Sequence, residues 1–195
     1  YRRIDQPADP EIAQRFHQYL GRRLQREPAA YITGHREFYA LDFAVDPRVL
    51  IPRPETEQLV DEALRWLGKW RGPEQPVVVD VGTGSGAIAV AIAVHAPQVR
   101  IFASDASSGA LELARANAER HGVADRITFL KGDLLEPVPR PVDLIVANLP
   151  YIPSYMISSL APEVRDFEPI SALDGGPTGL EVIERLLKQA PDWLA

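Results

Sequence analysis

The sequence predicts a doubly wound α/β fold, and two patterns carry that prediction. Apolar runs of strand length alternate with stretches of helical periodicity from Val77 onward. The first run, Val77–Val81, is apolar apart from Asp80, as expected of a strand that is covered on both faces. A turn with three alternating glycines then leads directly into a helix. Such alternation produces a parallel sheet with right-handed crossovers, and hence a doubly wound architecture.

The elements can be placed in order along the chain. Apolar residues at helical spacing predict a helix over residues 10–27, which Pro28 ends. Aromatic and β-branched residues that alternate with polar ones predict a β-hairpin or two short strands over residues 35–51. Pro54 suits the first turn of the next helix, whose apolar stripe reaches Leu67. Further on we expect strands over residues 77–81, 99–103, 127–130 and 142–147, helices over residues 87–94, 107–121 and 180–187, and a loop at Gly175 and Gly176.

Composition and charge exclude several classes of protein. The chain has 195 residues, of which 46% are apolar and 25% are charged, and its net charge is −6. This acidic balance favours a protein or small-molecule partner over bare nucleic acid, whose phosphates attract basic faces. The chain has no cysteine, and its four histidines lack metal-ligand spacing, so we expect neither disulfides nor a metal site. Since no apolar stretch could span a membrane and residues 1–5 lack the core of a secretory signal, we expect a cytoplasmic protein.

Residues at the ends of three successive strands predict a nucleotide-type pocket. Gly82, Gly84 and Gly86 allow the backbone to approach a ligand closely after the first strand. Asp105 follows the second strand and can accept hydrogen bonds from both hydroxyls of a ribose. Asp133 follows the third strand and can accept a hydrogen bond from an adenine amino group. Because ligands of such sheets bind at the carboxyl ends of the strands, we predict an adenosine-containing cofactor.

The glycine turn alone leaves two other interpretations open. Its glycines could be needed only to pack a tight strand–helix turn. The spacing from Gly82 through Gly84 to Ala87 also satisfies the loose fingerprint of dinucleotide-binding proteins. Asp80 before the turn, the alternating glycines and above all the motif after the fourth strand favour a sulfonium cofactor, S-adenosylmethionine.

That motif is Asn148-Leu149-Pro150-Tyr151, which shares the edge of the sheet with the glycine turn. An amide or aromatic amino nitrogen is a poor nucleophile because its lone pair is delocalised. The side-chain oxygen of Asn148 and the carbonyl oxygen of Leu149 can accept its two hydrogens and direct the lone pair toward a sulfonium methyl group. Pro150 fixes the local backbone, and Tyr151 offers a flat face to a planar group. An ordinary turn is the alternative interpretation, but the position at a strand end favours catalysis.

Together with several other stretches, these motifs resemble the HemK/PrmC family of release-factor glutamine methyltransferases. The similarity runs from about Pro28 to Leu187. Two stretches are specific to this family: Pro-Arg-Pro-Glu-Thr-Glu, and the later stretch that contains Glu-Pro followed by Asp-Gly-Gly. The glycine turn is not specific to it. Besides the glycine turn and the tetrad, the resemblance is carried by residues 34–39 (GHREFY), 49–57 (VLIPRPETE), 165–169 (RDFEP) and 172–176 (ALDGG).

The resemblance implies a fold and a domain organisation. The family has a seven-stranded class I (Rossmann-like) methyltransferase sheet, preceded by a helical N-terminal domain and a β-hairpin linker. By this comparison, residues 1–30 are a remnant of the helical domain and residues 31–53 are the linker. Residues 54–195 are then the methyltransferase domain, and we expect the last strands of the family to be missing.

The resemblance also implies an activity. A methyl group moves from S-adenosylmethionine, leaving S-adenosylhomocysteine, to the side-chain amide nitrogen (N5) of the glutamine in the Gly-Gly-Gln loop of peptide-chain release factors. The implied partner is therefore a release factor, with no direct contact with nucleic acid or membrane. Residues 53–56 either form a helix start or line the cofactor pocket, and residues 168–169 are expected to shape the substrate channel.

The family pattern assigns each part of the site a role. The implied catalytic residues are Asn148, Pro150 and Tyr151. The implied substrate-binding residues are Asn148, Leu149, Pro150 and Tyr151. The implied cofactor-binding residues are Gly82, Thr83, Gly84, Ser85, Gly86, Asp105, Asp133, Leu134 and Asn148.

One departure from the family pattern leaves other activities open. The family tetrad usually has proline at the second position, where this chain has Leu149. Asn-Leu-Pro-Tyr is also similar to the motif of ribosomal RNA adenine dimethyltransferases, so N6-methylation of adenine in nucleic acid is the alternative function. Methylation of a ribosomal-protein glutamine and adenosine binding without chemistry are further alternatives. The acidic charge balance and the stretch before the sheet favour the release factor.

Overall fold

The computed structural model describes residues 9–195, so the first eight residues of the predicted N-terminal segment lie outside it. None of the helices in this range is long and apolar enough to cross a membrane. The helices are α1 (Pro10–Leu24), α2 (Ala29–Thr33), α3 (Glu57–Lys69), α4 (Ala87–His95), α5 (Ser108–Arg120), α6 (Pro162–Arg165) and α7 (Glu181–Gln189). The strands are β1 (His35–Phe38), β2 (Leu41–Ala44), β3 (Val77–Val81), β4 (Arg100–Asp105), β5 (Ile127–Lys131), β6 (Leu144–Ala147), β7 (Ile152–Pro153) and β8 (Asp174–Gly176).

The central sheet has four parallel strands in the order β5-β4-β3-β6. In the middle of β3, Val79 is paired with Phe102 of β4 on one side and with Ile145 of β6 on the other. The strand expected over residues 142–147 begins at Leu144. The chain moves outward from β3 to β5 and then returns to the other side of β3, so a crevice opens at the carboxyl ends of the strands. The predicted doubly wound parallel sheet is confirmed.

Apolar side chains cover both faces of this sheet. One face is packed against α3, α4 and the β1–β2 hairpin, which buries Phe38 and Phe43. Residues from Ala87 to Ala93 of α4 are all buried, which explains why they are only alanine, isoleucine and valine. The other face buries Leu135 together with Trp193 from the end of the chain. The site at the strand ends therefore rests on a sheet that is held from both sides.

The hairpin occupies only the first part of its predicted range. β1 and β2 are antiparallel, with His35 opposite Ala44. Beyond Ala44 the carboxylate of Asp46 accepts a hydrogen bond from the backbone N–H of Arg48 at 3.0 Å, which closes a turn and ends the extended chain. The segment that follows leads along the site toward α3.

Two elements differ from the prediction. The first helix, expected to run to residue 27 and end at Pro28, ends at Leu24, and Pro28 is instead the N-cap of the short helix α2. Gly175 and Gly176, expected in a loop, belong to β8, which pairs in parallel with β7. A Cβ at Gly175 would lie 2.8 Å from the backbone oxygen of Pro150, so the approach of β8 to the tetrad requires glycine. The expectation of a loop is wrong because two such short strands leave no periodic pattern in the sequence.

Candidate active site

The glycine turn lies between the carboxyl ends of β3 and β4. The backbone N–H groups of Gly82 and Thr83 both donate to the carbonyl oxygen of Ser104, at 2.9 and 3.0 Å. Gly84 has a φ of 56°, a left-handed conformation that other residues resist. A Cβ on Gly86 would lie 3.0 Å from a side-chain carbon of α5. Glycine is therefore needed here both for the turn and for the packing of the next helix.

Asp105, the last residue of β4, braces this turn. One carboxylate oxygen accepts a hydrogen bond from the N–H of Gly84 at 2.9 Å, and the other accepts one from the N–H of Ser107 at 2.8 Å. The side chain also lines the cavity beside the turn. Because each carboxylate oxygen can accept more than one hydrogen bond, Asp105 can brace the turn and still accept from a ligand.

Asp80 lies beneath the turn and is fully buried. Its Oδ2 accepts hydrogen bonds from the hydroxyl of Thr83 at 2.6 Å and from the N–H of Ala89 at 3.2 Å. Its Oδ1 is buried and has no partner among residues 9–195. Burial raises the pKa of Asp80 to about 6. Asp80 does not line the cavity beside the turn, so it supports the turn from beneath.

A cavity of about 300 Å³ opens at this edge of the sheet. Gly86 is the one predicted cofactor-binding residue that does not line it. The structure thus brings together residues that are far apart in the sequence, and Gly86 contributes through the packing of the turn. The predicted residues that line the cavity are Gly82, Thr83, Gly84, Ser85, Asp105, Asp133, Leu134 and Asn148.

Arg185 of α7 also lines this first cavity and was not predicted from the sequence. Its guanidinium forms an ion pair with Asp133. The carboxylate of Asp133 therefore lines the cavity with a positively charged partner, Arg185, already beside it. No local pattern indicates the pair, because the two residues are 52 positions apart.

Asn148 is half-buried and lines the first cavity. Its side-chain nitrogen donates to the hydroxyl oxygen of Thr56 at 3.2 Å. This contact leaves the side-chain oxygen of Asn148 as the acceptor that a ligand can reach. Leu149 is buried and packs in the core beneath the sheet edge, so its side chain anchors the tetrad.

A second cavity, of about 380 Å³, adjoins the first. Tyr151, which is 65% exposed, lines only this second cavity, and Pro150 lines only the first. The two cavities therefore meet at the tetrad, in the arrangement that a two-substrate reaction needs. The residues that line both are Leu50, Thr56, Asn148, Leu149 and Ala172.

An ion pair joins Arg53, which lines the second cavity, to the buried Glu168. Nη2 of Arg53 donates to Oε1 of Glu168 at 2.5 Å, and Oε2 of Glu168 accepts from the N–H of Ile51 at 3.2 Å. Arg53 lines the second cavity and not the first. The expectation that residues 53–56 line the first cavity holds for Thr56 alone.

Asn117 of α5 was missed by the sequence patterns, although it is fully buried. Its side-chain oxygen accepts from the N–H of Ala44 at 2.8 Å. Its side-chain nitrogen donates to the carbonyl oxygens of Ala44 at 3.0 Å and of Ser85 at 2.9 Å. One side chain therefore ties the hairpin to the glycine turn.

Two family models match the chain. The model described as Methyltransferase small domain matches residues 59–158. The model described as PrmC N-terminal domain matches residues 1–34.

Two curated relatives share one name. The Release factor glutamine methyltransferase of Geobacter sulfurreducens is 46% identical over 195 residues, which is 100% of this chain and 66% of that protein. The protein of the same name from Moorella thermoacetica is 44% identical over 189 residues, which is 96% of this chain and 65% of that protein. The chain thus spans slightly less than two thirds of the length of these relatives.

Solved structures share the fold. The catalytic domain of hMettl16 in complex with MAT2A 3'UTR hairpin 6 has a TM-score of 0.63 and 16% identity, over 96% of this chain and 75% of that chain. Human methyltransferase 10 domain containing protein has a TM-score of 0.54 and 18% identity, over 94% of this chain and 73% of that chain. At these identities the likeness shows the fold alone, a class I methyltransferase fold.

These matches confirm the resemblance to the HemK/PrmC family. The PrmC N-terminal domain model covers the first 34 residues, and the relatives named above extend the similarity through the sheet and the tetrad. The model over residues 59–158 takes in α3, the central sheet and Asn148. By that match, the chain belongs to the methyltransferase small domain family.

Proposed function

We propose that this chain carries the catalytic part of an enzyme that methylates N5 of the glutamine in the Gly-Gly-Gln loop of peptide-chain release factors. The name shared by its relatives supports this substrate. The observation that carries the proposal is the position of Asn148 where the two cavities adjoin. An acceptor at that junction can face a cofactor on one side and a carboxamide on the other.

The first cavity fits S-adenosylmethionine. The glycine turn admits a ligand close to the backbone, and Asp105, which lines the cavity, can accept from ribose hydroxyls. When bound, the cofactor supplies a sulfonium methyl group, whose departure needs neither an acid nor a metal. We assign it the residues Gly82, Thr83, Gly84, Ser85, Gly86, Asp105, Asp133, Leu134 and Asn148.

The tetrad aligns the carboxamide from the second cavity. Thr56 holds the nitrogen of Asn148, so the oxygen of Asn148 accepts one hydrogen of the substrate nitrogen. The backbone carbonyl of Leu149 accepts the other, Pro150 fixes the backbone of the tetrad, and Tyr151 lines the pocket. Alignment of this kind contributes on the order of 7–11 kcal/mol to a reaction barrier. No strong base is required, because the nitrogen can release its proton after transfer.

Adenine N6-methylation is the less favoured function. It was suggested by the tetrad with Leu149, whereas relatives that are 44–46% identical carry the name of a glutamine methyltransferase. The net charge of −6 also disfavours a bare nucleic acid substrate.

Labelled cofactor separates the two functions. The complete protein is incubated with S-adenosylmethionine labelled in its methyl group, and with either a release factor or ribosomal RNA. We expect label on the release factor, and none on a variant of that factor whose Gly-Gly-Gln glutamine is replaced by alanine. Label on RNA alone would contradict the proposal.

The domain organisation follows from the same proposal. We assign residues 1–30 to the helical domain, residues 31–53 to the linker and residues 54–195 to the methyltransferase domain. The linker places the hairpin against α5 through Asn117, and so beside the cofactor turn. We place the reaction in the cytoplasm, where release factors act.

A further inference from the structure

The second cavity is bounded by two segments that are distant in the sequence. One contains Leu50, Arg53 and Thr56, before α3, and the other contains Val164 and Ala172, around α6. The tetrad lies between these segments. The relative position of the two segments therefore sets the space available to a substrate side chain.

Glu168 joins these segments from the interior. Its side chain is 1% exposed, and both of its oxygens accept hydrogen bonds, one from Arg53 and one from the N–H of Ile51. A buried carboxylate is stable only when it is paired and hydrogen-bonded in this way. Glu168 therefore fixes the guanidinium of Arg53 in one orientation.

Arg53 has hydrogen-bonding capacity that the protein does not use. A guanidinium carries five N–H donors, and Glu168 is its one hydrogen-bond partner among residues 9–195. The side chain is 35% exposed and lines the same cavity as Asn148. Its remaining donors are available to a ligand in that cavity.

A carboxamide needs a donor as well as acceptors. The tetrad provides acceptors for the two hydrogens of the nitrogen, but the carbonyl oxygen loses its water on entering the cavity and requires a replacement. Of the other side-chain hydroxyls that line the cavity, Thr56 accepts from Asn148 and keeps only a neutral O–H donor, and Tyr151 is largely exposed. Among residues 9–195, Arg53 is the one cationic side chain that lines this cavity, and Glu168 holds it in place.

We propose that Arg53, oriented by Glu168, donates a hydrogen bond to the side-chain carbonyl oxygen of the target glutamine and so selects a carboxamide. This inference rests on the proposed function and adds a substrate-recognising residue to it. Glu168 is a positioning residue that acts through Arg53.

Peptide binding tests the proposal without catalysis. Affinities of the complete protein, with S-adenosylhomocysteine present, are measured for two Gly-Gly-X peptides in which X is glutamine or norleucine. Norleucine is uncharged and has the same chain length as glutamine, but it lacks the carbonyl oxygen. The variant combines Arg53→Met with Glu168→Gln, which removes both charges and leaves no buried carboxylate unpaired. The matched control combines Arg65→Met with Glu62→Gln, an exposed ion pair on α3.

The parent and the control are expected to bind the glutamine peptide about tenfold or more tightly than the other peptide. The other peptide has no carbonyl oxygen to accept a hydrogen bond from a charged group. In the variant this preference is expected to fall by a similar factor, while the affinity for S-adenosylhomocysteine changes less than about twofold, since Arg53 lies outside the first cavity. Arg53→Lys, which keeps one donor and the charge, is expected to retain part of the preference. A variant that binds both peptides more weakly by the same factor, or that keeps the parent preference, would overturn the proposal. A parent that binds a glutamine peptide no better than an alanine peptide would instead contradict the proposed function itself.

Discussion

The side-chain nitrogen of Asn148 donates a hydrogen bond to the hydroxyl of Thr56, which joins the loop after β6 to the residue just before α3. Both residues line both cavities. The contact determines which way the amide of Asn148 points, because the nitrogen is engaged and the oxygen is left for the substrate. The orientation of the key acceptor is therefore set by a residue from outside the tetrad.

Thr56→Val tests this orientation, since valine has the same shape without the hydroxyl. We expect kcat/KM for the release factor to fall by about two- to tenfold, the worth of one neutral hydrogen bond. We expect little change in cofactor affinity measured by calorimetry. Thr128→Val, on the exposed surface of β5, is the control. An equal loss of cofactor affinity would show that Thr56 serves the first cavity instead.

Asp105→Ala is expected to weaken the binding of S-adenosylhomocysteine by about 1–3 kcal/mol, because an acceptor for the ligand and the brace of Gly84 are lost together. Calorimetric titration measures the change. Asp125→Ala, an exposed carboxylate beyond α5, should leave the affinity unchanged. Undiminished affinity in Asp105→Ala would remove Asp105 from the cofactor site.

Asn117→Leu should destabilise the whole domain. The substitution keeps the branched shape of the side chain but removes three hydrogen bonds to Ala44 and Ser85. We expect the free energy of unfolding to fall by about 3 kcal/mol. Urea denaturation of this variant and of Gln14→Leu, on the exposed surface of α1, provides the comparison. A loss no larger than that of the control would mean that the hairpin is held by apolar packing alone.

The buried carboxyl group of Asp80 should make the free energy of unfolding depend on pH. Burial raises its pKa to about 6 from the ordinary value of 3.8, so the folded state binds this proton more tightly than the unfolded state. Its stabilising contribution is present below pH 3.8 and is lost as the pH rises through 6. The difference of about two units corresponds to about 3 kcal/mol.

Asp80→Asn isolates this effect. The carboxyl groups whose pKa is lowered in the folded state, such as Asp46 beside Arg48, act in the opposite direction but equally in both proteins. The advantage of the variant over the parent in free energy of unfolding should therefore grow between pH 4 and pH 6.5, by about 2 kcal/mol. Denaturant titrations at a series of pH values measure it. A difference that is independent of pH would show that Asp80 is not the group responsible.

Much of the candidate site could be predicted because its signals are local. Gly82, Asp105 and Asn148 each follow an apolar strand, and the carboxyl ends of parallel strands lie along one edge of a sheet. The short pattern around each residue, combined with this rule of topology, is enough to place them together.

The remaining contacts depend on packing between distant segments. Asn117 and Ala44 are separated by 73 positions, and Asn148 and Thr56 by 92. Asn117 falls in an ordinary helical pattern, and nothing near it in the sequence indicates a partner in the hairpin. The role of Glu168 likewise becomes visible only when Arg53 is placed beside it.

Single-turnover methyl transfer to the release factor tests the central claim most directly, with fragment mass spectrometry to locate the new methyl group. The parent should place one methyl group on the side-chain nitrogen of the Gly-Gly-Gln glutamine. Asn148→Ala should bind S-adenosylhomocysteine with nearly the parent affinity but transfer methyl groups about 100- to 1,000-fold more slowly, as expected when one preorganised hydrogen-bonding group is lost. A full rate in Asn148→Ala, or a methyl group at any other position, would contradict the account.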